Sequence, residues 1–389
     1  MQKLSIFEAY RNKIAVKLGK PVTVRALGAK KGAILLSYLS SPFTLTPKER
    51  KTDPHTSYAE CIKIAELFSK RGYDVDVIDW DNTTFIPKKP YKVCIDIQKN
   101  LERLEHLLPR DCKRVMHIVS AYSEFQNEAE AKRLRRIKSR RDIQLIPRRQ
   151  EYVSLNPKYA NFLEGFGNKT IQATYARFGK SIFPIPASVA HEFSFPDSKD
   201  FEKVKKTFMW FGGGGAVHKG LDLVLEAFSR MPGTKLHIIG PITKERDFID
   251  AFANELSSPD LILHDRPKVN AQGHMIVGNQ LFSDIANECV AIIYPSCSEG
   301  TSGAVIQAMH ASLIPVITPE TGIAEDAPAI VLKETSVESI QAEMQKMMNT
   351  SDDVLRSKAY DVWSYVRKHN TMEKFEEAYT QFIDTKLEL

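Results

Sequence analysis

The chain has 389 residues, of which 43% are hydrophobic and 26% are charged, and its formal net charge is +6. This length allows two or three domains that each bury a core, and the composition is that of a globular protein. No apolar run approaches the roughly 18 residues that span a bilayer, and the N-terminus has no secretory signal pattern. The five cysteines are odd in number, widely spaced and never form C-x-x-C, which argues against disulfides or a zinc site. We therefore expect a cytoplasmic protein.

The N-terminal segment is basic. Residues 1–32 contain eight Lys or Arg against one acid, Glu8. A second basic run, residues 132–150, contains nine Lys or Arg. Each run is either a solvated surface or a region that attracts an anionic membrane surface or an anionic acceptor. No nucleic-acid-binding module surrounds either run, so nucleic acid is not expected as a partner. The N-terminal segment also predicts an amphipathic helix from apolar residues at every fourth position, Ile6, Tyr10, Ile14 and Leu18.

The first half of the chain alternates between strand and helix patterns. Strands are predicted at residues 32–39, 74–80, 91–97 and 114–120, and helices at 58–72 and about 123–140. A stretch at 180–200 has three prolines and little periodicity, which indicates an interdomain linker, placed at 186–200. The first domain is therefore predicted over residues 1–185.

A second series of strands and helices follows the linker. Strands are predicted at 207–211, 235–240, 261–265, 290–295, 315–318 and 329–332, with helices between most of them, and three helices from about 336 to 386. Strands that alternate with helices of this length form parallel sheets covered on both faces. The fold class predicted is α/β, with two lobes that face each other across a cleft, and the second domain covers residues 201–365.

Two unusual loops of the second lobe are expected to face each other. If its strands have the common order 3-2-1-4-5-6, the first and fourth lie side by side, and ligands bind beyond their carboxyl ends. The loop after the first strand is "GGGGAVHKG", residues 212–220, and the loop after the fourth is "SCSEGTSG", residues 296–303.

The first of these loops has four consecutive glycines, Gly212, Gly213, Gly214 and Gly215. Each costs roughly 0.5–1 kcal/mol in chain entropy, and each lets the backbone approach a ligand closely. Lys219 adds a positive charge at the start of the next helix, where phosphates bind. The dinucleotide and P-loop fingerprints both fail here. From the glycine loop alone, both a tight turn and a phosphate-binding site are possible.

The second loop combines a carboxylate with free backbone amides. Thr301 or Ser302 can cap the following helix, and we expect the amides of Ser302, Gly303 and Ala304 to point into the crevice. Glu299 can accept hydrogen bonds from sugar hydroxyls, and Gln307 can both donate and accept. A ligand that has both hydroxyls and a diphosphate fits these groups, as a nucleotide-sugar does.

These loops also resemble a known family. "EGTSGAVIQAM" is similar to the E-x7-E motif of the retaining glycosyltransferases of family 4, and "FGGGGAVHKGLDLVLEAF" is similar to their donor-binding strand, loop and helix. The resemblance implies the GT-B fold, with two Rossmann-like domains and a last helix, residues 366–389, that packs back on the first. It also implies that Glu299 contacts the donor sugar, that position 307 contacts the ribose and that Lys219 binds the diphosphate, without a metal or another cofactor.

Two positions depart from the family pattern. The second acid of the motif is Gln307 here, and an Arg that the family often has is Gly214. Lys219 would then carry most of the diphosphate charge, helped by helix amides and His218. We interpret these departures as an altered donor choice rather than as loss of activity, because Glu299, Lys219 and the glycines remain.

Other candidates lie in the first lobe. His117 lies on a strand whose end should face the cleft, so it is either a catalytic residue or a core histidine. The loop at 40–57, with His55 and Thr56, should line the acceptor side. Asp74, Asp76, Asp79 and Asp81 resemble a DxD metal motif, but they lie far in sequence from the phosphate loops, so we interpret them as strand and loop residues and expect no metal.

The function predicted is a retaining, metal-independent glycosyltransferase. It would transfer a hexose-type sugar from a nucleoside-diphosphate sugar to a glycan or lipid-linked acceptor, in cell-surface polysaccharide biosynthesis at the inner membrane face. The alternatives are a GT-B-like epimerase or phosphorylase, and a degenerate protein that binds a sugar-nucleotide or glycan without catalysis. A nicotinamide-dependent oxidoreductase is disfavoured by the broken fingerprint.

Overall fold

The structure is a computed structural model that describes residues 6–46, 49, 56–264 and 279–389. Within these residues the chain forms a seven-stranded sheet followed by a six-stranded sheet. Buried aliphatic and aromatic side chains pack on both faces of each sheet, so each sheet is the centre of its own core. The fold class is therefore α/β with two parallel-sheet domains, as predicted.

The second sheet has the strand order β10-β9-β8-β11-β12-β13, with all pairs parallel. Counted within the domain, this is the predicted order 3-2-1-4-5-6. The central pair β8 and β11 lies at the topological switch point, where the loops beyond their carboxyl ends meet. The strands are β8 Thr207–Phe211, β9 Lys235–Ile239, β10 Leu261–His264, β11 Ala291–Tyr294, β12 Ile314–Ile317 and β13 Ile330–Val331.

The first sheet has the order β1-β3-β2-β4-β5-β6-β7. Its strands are β1 Val22–Val24, β2 Gly32–Tyr38, β3 Tyr73–Asp79, β4 Val93–Asp96, β5 Lys113–Ile118, β6 Phe162–Gly165 and β7 Ile182–Pro184. The predicted strands correspond to β2, β3, β4 and β5. Strands β1, β6 and β7, of three or four residues each, were not predicted; β4 is equally short, but it lies in a longer alternating pattern, Tyr91, Val93, Ile95 and Ile97. Strand β1 alone is antiparallel, paired with β3 at the sheet edge.

Helices cover both faces of the sheets. The helices of the first domain are α1 Ile6–Lys17, α2 Thr56–Lys70, α3 Asn100–Leu104, α4 Ser123–Arg141, α5 Asn156–Tyr159 and α6 Lys169–Ala173. Those of the second domain are α7 Phe201–Val204, α8 Leu221–Ser229, α9 Arg246–Ala251, α10 Ala253–Leu256, α11 Asn279–Asn287, α12 Gly303–His310, α13 Val337–Met348 and α14 Asp352–His369. None of the helices in the described ranges is long and apolar enough to cross a membrane.

The last helix, α15 Met372–Phe382, packs on the first domain. Its Phe375, Tyr379 and Phe382 are fully buried in the core of that domain. Helix α14 continues to His369, beyond residue 365, so the chain passes from the second domain to the first near Asn370. The side-chain amide of Asn370 donates to the carbonyl of Ala187, 3.0 Å away, which ties this crossing to the start of the linker.

The aspartates of the DxD-like run hold the edge of the first sheet together. Asp74 accepts from the backbone of Ala26 and pairs with Lys30 at 2.8 Å. Asp76 accepts from the hydroxyls of Thr23 and Tyr91. These carboxylates are occupied by bonds to β1 and its neighbours, so they serve the pairing of β1 with β3.

Candidate active site

The loop after β8 and the loop after β11 meet, as the strand order predicted. Lys219 Nζ lies 2.6 Å from Glu299 Oε1, which joins the two loops by a partly buried ion pair. The backbone also joins them, since the amide of Cys297 donates to the carbonyl of His218 at 2.9 Å. The two residues that the sequence marked as the centre of the site are therefore in direct contact.

Glu299 is held in its charged form. Its Oε1 accepts hydrogen bonds from Lys219, from the Tyr294 hydroxyl at 2.9 Å and from the Ser296 hydroxyl at 3.1 Å. Burial favours a higher pKa for this carboxyl, but the neighbouring positive charges, that of Lys219 first, together with the hydrogen bond from Lys219 outweigh burial and lower the pKa to about 2. All three bonds are to Oε1, and the side chain keeps 16% of its exposure, so the carboxylate still has acceptor capacity for a ligand hydroxyl.

The glycines of the first loop have different tasks. A Cβ at Gly212 would lie 3.0 Å from Lys219 Cδ, so the absence of a side chain lets Lys219 extend past the backbone. Gly215 has φ +91°, in the left-handed region that favours glycine. Gly213 and Gly214 are exposed, with no atom closer than 3.9 Å to an added Cβ. The exposed pair is the part of the loop that a ligand can reach.

Glu245, which the sequence analysis did not identify, occupies two amides of the same loop. Its Oε1 accepts from the amide of Gly215 at 2.6 Å and from that of Ala216 at 3.2 Å. Burial raises the pKa of Glu245, although these two hydrogen bonds act in the opposite direction. The amides that were expected to hold phosphate at this end of the loop are therefore taken by the protein's own carboxyl group.

The N-terminus of α12 opens toward the site. Ser302 is the N-cap and its hydroxyl accepts from the amide of Val305. The amide of Ser302 itself donates to Thr321 at 2.9 Å, so it is not free, contrary to the expectation. Gly303 is exposed and Ala304 is half-buried at the first turn. The anion-attracting end of this helix is thus reduced to the amides of Gly303 and Ala304.

His218 does not supply positive charge. Its ring is buried, and burial lowers its pKa to about 3, so the imidazole is neutral at physiological pH. Its Nε2 donates to the carbonyl of Ser298, 2.6 Å away. A buried and neutral ring does not favour the expected help of His218 in neutralising a diphosphate. The residue instead fixes the distance between the two loops.

Gln307 is engaged by the linker rather than free for a ribose. Its Nε2 donates to the carbonyl of His191 at 2.9 Å, and its Oε1 accepts from the amide of His191 at 3.3 Å. An amide side chain can satisfy both backbone groups of one residue, whereas a carboxylate can only accept. The expected ribose contact is not supported by this geometry, because Gln307 fastens the linker to α12.

His117 lies in the core of the first domain and not in the cleft. Its side chain is 0% exposed, and the ring is surrounded by Tyr38, Phe166 and Tyr379. Its Nδ1 lies 2.9 Å from Glu164 Oε2. Burial would lower the pKa of His117, but the charge of Glu164 outweighs burial and raises it. The assignment of His117 as a catalytic residue is corrected, because no substrate in the cleft reaches this ring.

The acceptor-side candidates are only partly covered by the structure. His55 lies outside the described residues. Thr56 is the first residue of α2 and is half-buried.

The second basic run contributes some of its arginines to the contact between the domains, while others, such as Arg135 and Arg136, are exposed. Helix α4 of the first domain places Arg140 at 3.1 Å from Asp222 and at 2.9 Å from Glu226, two residues of α8. The buried Arg133 donates to the carbonyl of Pro295 at 2.9 Å, in the second domain. Neither interpretation offered for this run, solvated surface or attraction of an external anion, describes these arginines, because their partners are acids and carbonyls of the other domain.

The two domains also meet through backbone at the site. The amide of Ala121 donates to the carbonyl of Glu299 at 2.9 Å. A Cβ at Gly300 would lie 2.3 Å from the carbonyl oxygen of Val119, so only glycine permits this approach. The loop after β5 therefore closes directly over the loop that carries Glu299.

The fold is shared with glycosyltransferases of known structure. Sucrose-phosphate synthase from Thermosynechococcus elongatus is 10% identical, with a TM-score of 0.62 over 92% of this chain and 100% of that one. HepE from Anabaena, in complex with UDP and glucose, is 10% identical, with a TM-score of 0.58 over 92% and 100%. A TarM variant from S. aureus, in complex with fondaparinux, α-GlcNAc-glycerol and UDP, is 12% identical, with a TM-score of 0.53 over 75% of this chain. The chain spans 55% of the length of that TarM chain. The protein thus has the GT-B fold.

The second domain also matches a sequence family. Residues 205–350 match the model of the glycosyl transferases group 1. The matched segment contains both loops of the site, with Lys219 and Glu299. No curated protein matches the sequence. The family match and the GT-B fold together support a glycosyltransferase.

Proposed function

We propose that the protein is a retaining, metal-independent glycosyltransferase that uses a nucleoside-diphosphate sugar as donor. The main support for this proposal is the contact of Lys219 with Glu299. It lies beside the exposed Gly213 and Gly214 and the open first turn of α12. These groups offer one cation and free amides for a diphosphate, and a charged carboxylate for sugar hydroxyls. The structures of HepE with UDP and glucose and of TarM with UDP add support by fold similarity.

The reaction follows from the same groups. The bond between the anomeric carbon and the diphosphate oxygen breaks, and an acceptor hydroxyl attacks from the same face. Its proton passes to the departing diphosphate, so the anomeric configuration is retained. Lys219 and the amides of Gly303 and Ala304 stabilise the charge that develops on the leaving group, and this stabilisation is the largest protein contribution. The domains that meet at Ala121 and Glu299 exclude water, which would otherwise compete with the acceptor.

The acceptor is proposed to be a glycan or a lipid-linked saccharide of cell-surface polysaccharide assembly, reached from the cytoplasmic side of the membrane. Helix α1 supports a peripheral association with an anionic bilayer. Its Ala9 and Asn12 are buried against the first domain, while its Tyr10 and Ile14, and Leu18 just after its end, are at least 60% exposed. Exposed basic residues, Arg11, Lys17 and Lys20, flank this apolar face. An apolar face flanked by cations is typical of helices that lie in a membrane interface.

The activity is tested with a panel of nucleoside-diphosphate sugars. We expect slow release of the nucleoside diphosphate from one donor, faster release when a suitable acceptor is added, and an NMR spectrum that shows retention at the anomeric carbon. A sugar whose configuration is inverted at a ring carbon, formed without any acceptor, would instead favour an epimerase. Donor binding without turnover under all conditions would favour the non-catalytic alternative.

The membrane association is tested separately by flotation with anionic and zwitterionic vesicles. We expect the wild type to float with anionic vesicles and the variant Ile14→Ser/Leu18→Ser to remain at the bottom. Ile146→Ser, which changes an exposed apolar residue elsewhere, is the matched control. Equal flotation of the wild type and the α1 variant would contradict the proposed surface.

A further inference from the structure

The two loops of the site, residues 212–220 and 296–303, offer little net positive charge to a diphosphate. Lys219 is paired with Glu299 at 2.6 Å, so most of its charge is balanced within the protein. His218 is neutral because burial lowers its pKa to about 3. Glu245 occupies the amides of Gly215 and Ala216. A diphosphate bound at these loops therefore needs a further cation from elsewhere in the molecule.

Arg149 of the first domain lies directly over the glycine loop. A Cβ added at Gly215 would be 2.7 Å from Arg149 Cγ and 3.2 Å from its Cδ. Burial raises the pKa of Glu299, and the positive charge of Arg149 is one of the effects, smaller than that of Lys219, that lower it. Arg149 thus extends from the first domain toward the second and lies next to both loops of the candidate donor site.

The main chain of Arg149 is fixed, while its guanidinium is not engaged. Its amide donates to Glu130 Oε1 at 3.0 Å, and its carbonyl accepts from Gln126 Nε2 at 2.8 Å. Among the residues that the structure describes, the guanidinium has no hydrogen-bonding or ion-pairing partner. Neighbouring arginines differ in this respect, since Arg148 pairs with Asp247 and Arg141 pairs with Glu255. An exposed, unpaired guanidinium on a fixed backbone is well suited to bind an anionic ligand.

Arg149 also faces the first domain's own cavity. It lines a cavity of about 170 Å³ together with Ser120, Tyr122 and Gln126, beyond the end of β5. The guanidinium therefore lies at the boundary between the donor loops and the space where an acceptor would enter. A leaving diphosphate held at this boundary would be close to the acceptor hydroxyl that it deprotonates.

We infer that Arg149 binds the donor diphosphate, supplying from the first domain a cation that the two loops at residues 212–220 and 296–303 lack. This inference rests on the proposed use of a nucleoside-diphosphate donor. A planar guanidinium binds two phosphate oxygens at once, which a lysine cannot do. Diphosphate binding then depends on the closed arrangement of the two domains, because the two cations, Arg149 and Lys219, belong to different domains.

The inference is tested by calorimetric titration of UDP, ADP and GDP and of the corresponding nucleosides, using the full chain. For the diphosphate that the wild type binds most tightly, we expect Arg149→Gln to weaken binding about tenfold or more, and Arg149→Lys to weaken it less. Binding of the nucleoside without phosphates should change less than about twofold, because only the phosphate contact is lost. Arg135→Gln, with the same charge change at an exposed arginine whose partner Glu128 lies in the same helix, is the matched control and should bind as the wild type does.

The outcomes separate the two proposals. If the wild type binds a nucleoside diphosphate and Arg149→Gln binds it equally well, the role of Arg149 is overturned and the proposed function stands. A parallel loss for nucleoside and nucleoside diphosphate would also overturn it, because that loss indicates a change in the shape of the site. If the wild type binds none of the three diphosphates, both proposals are overturned. Thermal unfolding of each variant verifies that it is folded, and the exposed position of Arg149 predicts an unchanged melting temperature.

Discussion

Lys219 Nζ and Glu299 Oε1 lie 2.6 Å apart and connect two loops that are 80 residues apart in the sequence. The contact forms because β8 and β11 are adjacent parallel strands, so the loops beyond their carboxyl ends share one crevice. The pair keeps the Glu299 carboxylate charged and directs the Lys219 side chain toward the second loop. A bound diphosphate would share Lys219 with Glu299, so binding and loop geometry are coupled at this contact.

The first prediction concerns stability at acidic pH. The pKa of Glu299 is about 2, below its ordinary value of 4.5, so its charged form stabilises the folded state above pH 4.5, and this stabilisation is lost as the pH falls toward 2. We expect wild type and Glu299→Gln to differ most near pH 6, by up to about 3 kcal/mol, with the difference falling to about 2 kcal/mol at pH 3.5 and further toward pH 2. Urea unfolding at several pH values measures this difference. Glu128→Gln, at an exposed carboxylate, is the control, and a difference for Glu299→Gln that does not depend on pH would contradict the prediction.

The second prediction concerns Gln307. A carboxylate at this position would face the carbonyl of His191 without a proton to donate, so we expect Gln307→Glu to destabilise the protein by about 1–3 kcal/mol. We expect no gain in donor affinity or turnover. Chemical denaturation and donor titration measure the two effects. A tighter-binding or faster Gln307→Glu variant of unchanged stability would show instead that position 307 contacts the donor.

The third prediction concerns His117. We expect His117→Phe to keep kcat within about threefold, because the ring does not reach the cleft, whereas loss of a general acid or base costs about 10²–10⁴-fold. Stability should fall, since Glu164 would lose His117 inside the core and keep the Tyr379 hydroxyl as a partner. Kinetic assays and thermal unfolding distinguish these effects. A hundredfold loss of kcat with an unchanged melting temperature would restore the catalytic assignment.

The fourth prediction concerns the contact between α4 and α8. Arg133 Nη1 lies 3.8 Å from Asp222 Oδ1, and both side chains are buried. We expect Arg133→Met and Asp222→Leu each to destabilise the protein by about 3 kcal/mol, because each leaves a buried charge with fewer partners. The double variant should lose less stability than the sum of the losses of the two single variants, since neither charge then remains. Strictly additive losses in urea unfolding would mean that the two side chains do not interact.

The sequence predicted the parts of the site that depend on strand order. The glycine loop and the Glu299 loop follow the strands at the switch point, so their meeting required only the pattern of the elements. The partners of single side chains were not predictable in this way. Gln307 bonds to the backbone of the linker residue His191, and His218 bonds to the carbonyl of Ser298. Backbone groups are the same at every residue, so the sequence gives no signal of these partners.

The arrangement of the two domains accounts for the remaining differences. The sequence shows two separate charged faces, the arginines of α4 and the acids Asp222 and Glu226 of α8. To predict that they pair, one must know how the two domains are placed against each other. Glu245 and Arg149 were missed for the same reason, because each acts on the glycine loop from another element. His117 was assigned to the cleft from its strand, but its side chain points to the opposite face, toward α15.

The most direct test of the account is donor-dependent release of nucleoside diphosphate by wild type, Lys219→Met and Lys132→Met. Lys132 is an exposed lysine of α4, so its variant controls for the loss of one positive charge. We expect Lys219→Met to reduce the rate about 10²–10³-fold, because the charge on the leaving diphosphate loses its cation, and Lys132→Met to leave the rate unchanged. Equal rates for wild type and a folded Lys219→Met variant would contradict the placement of donor chemistry at this crevice.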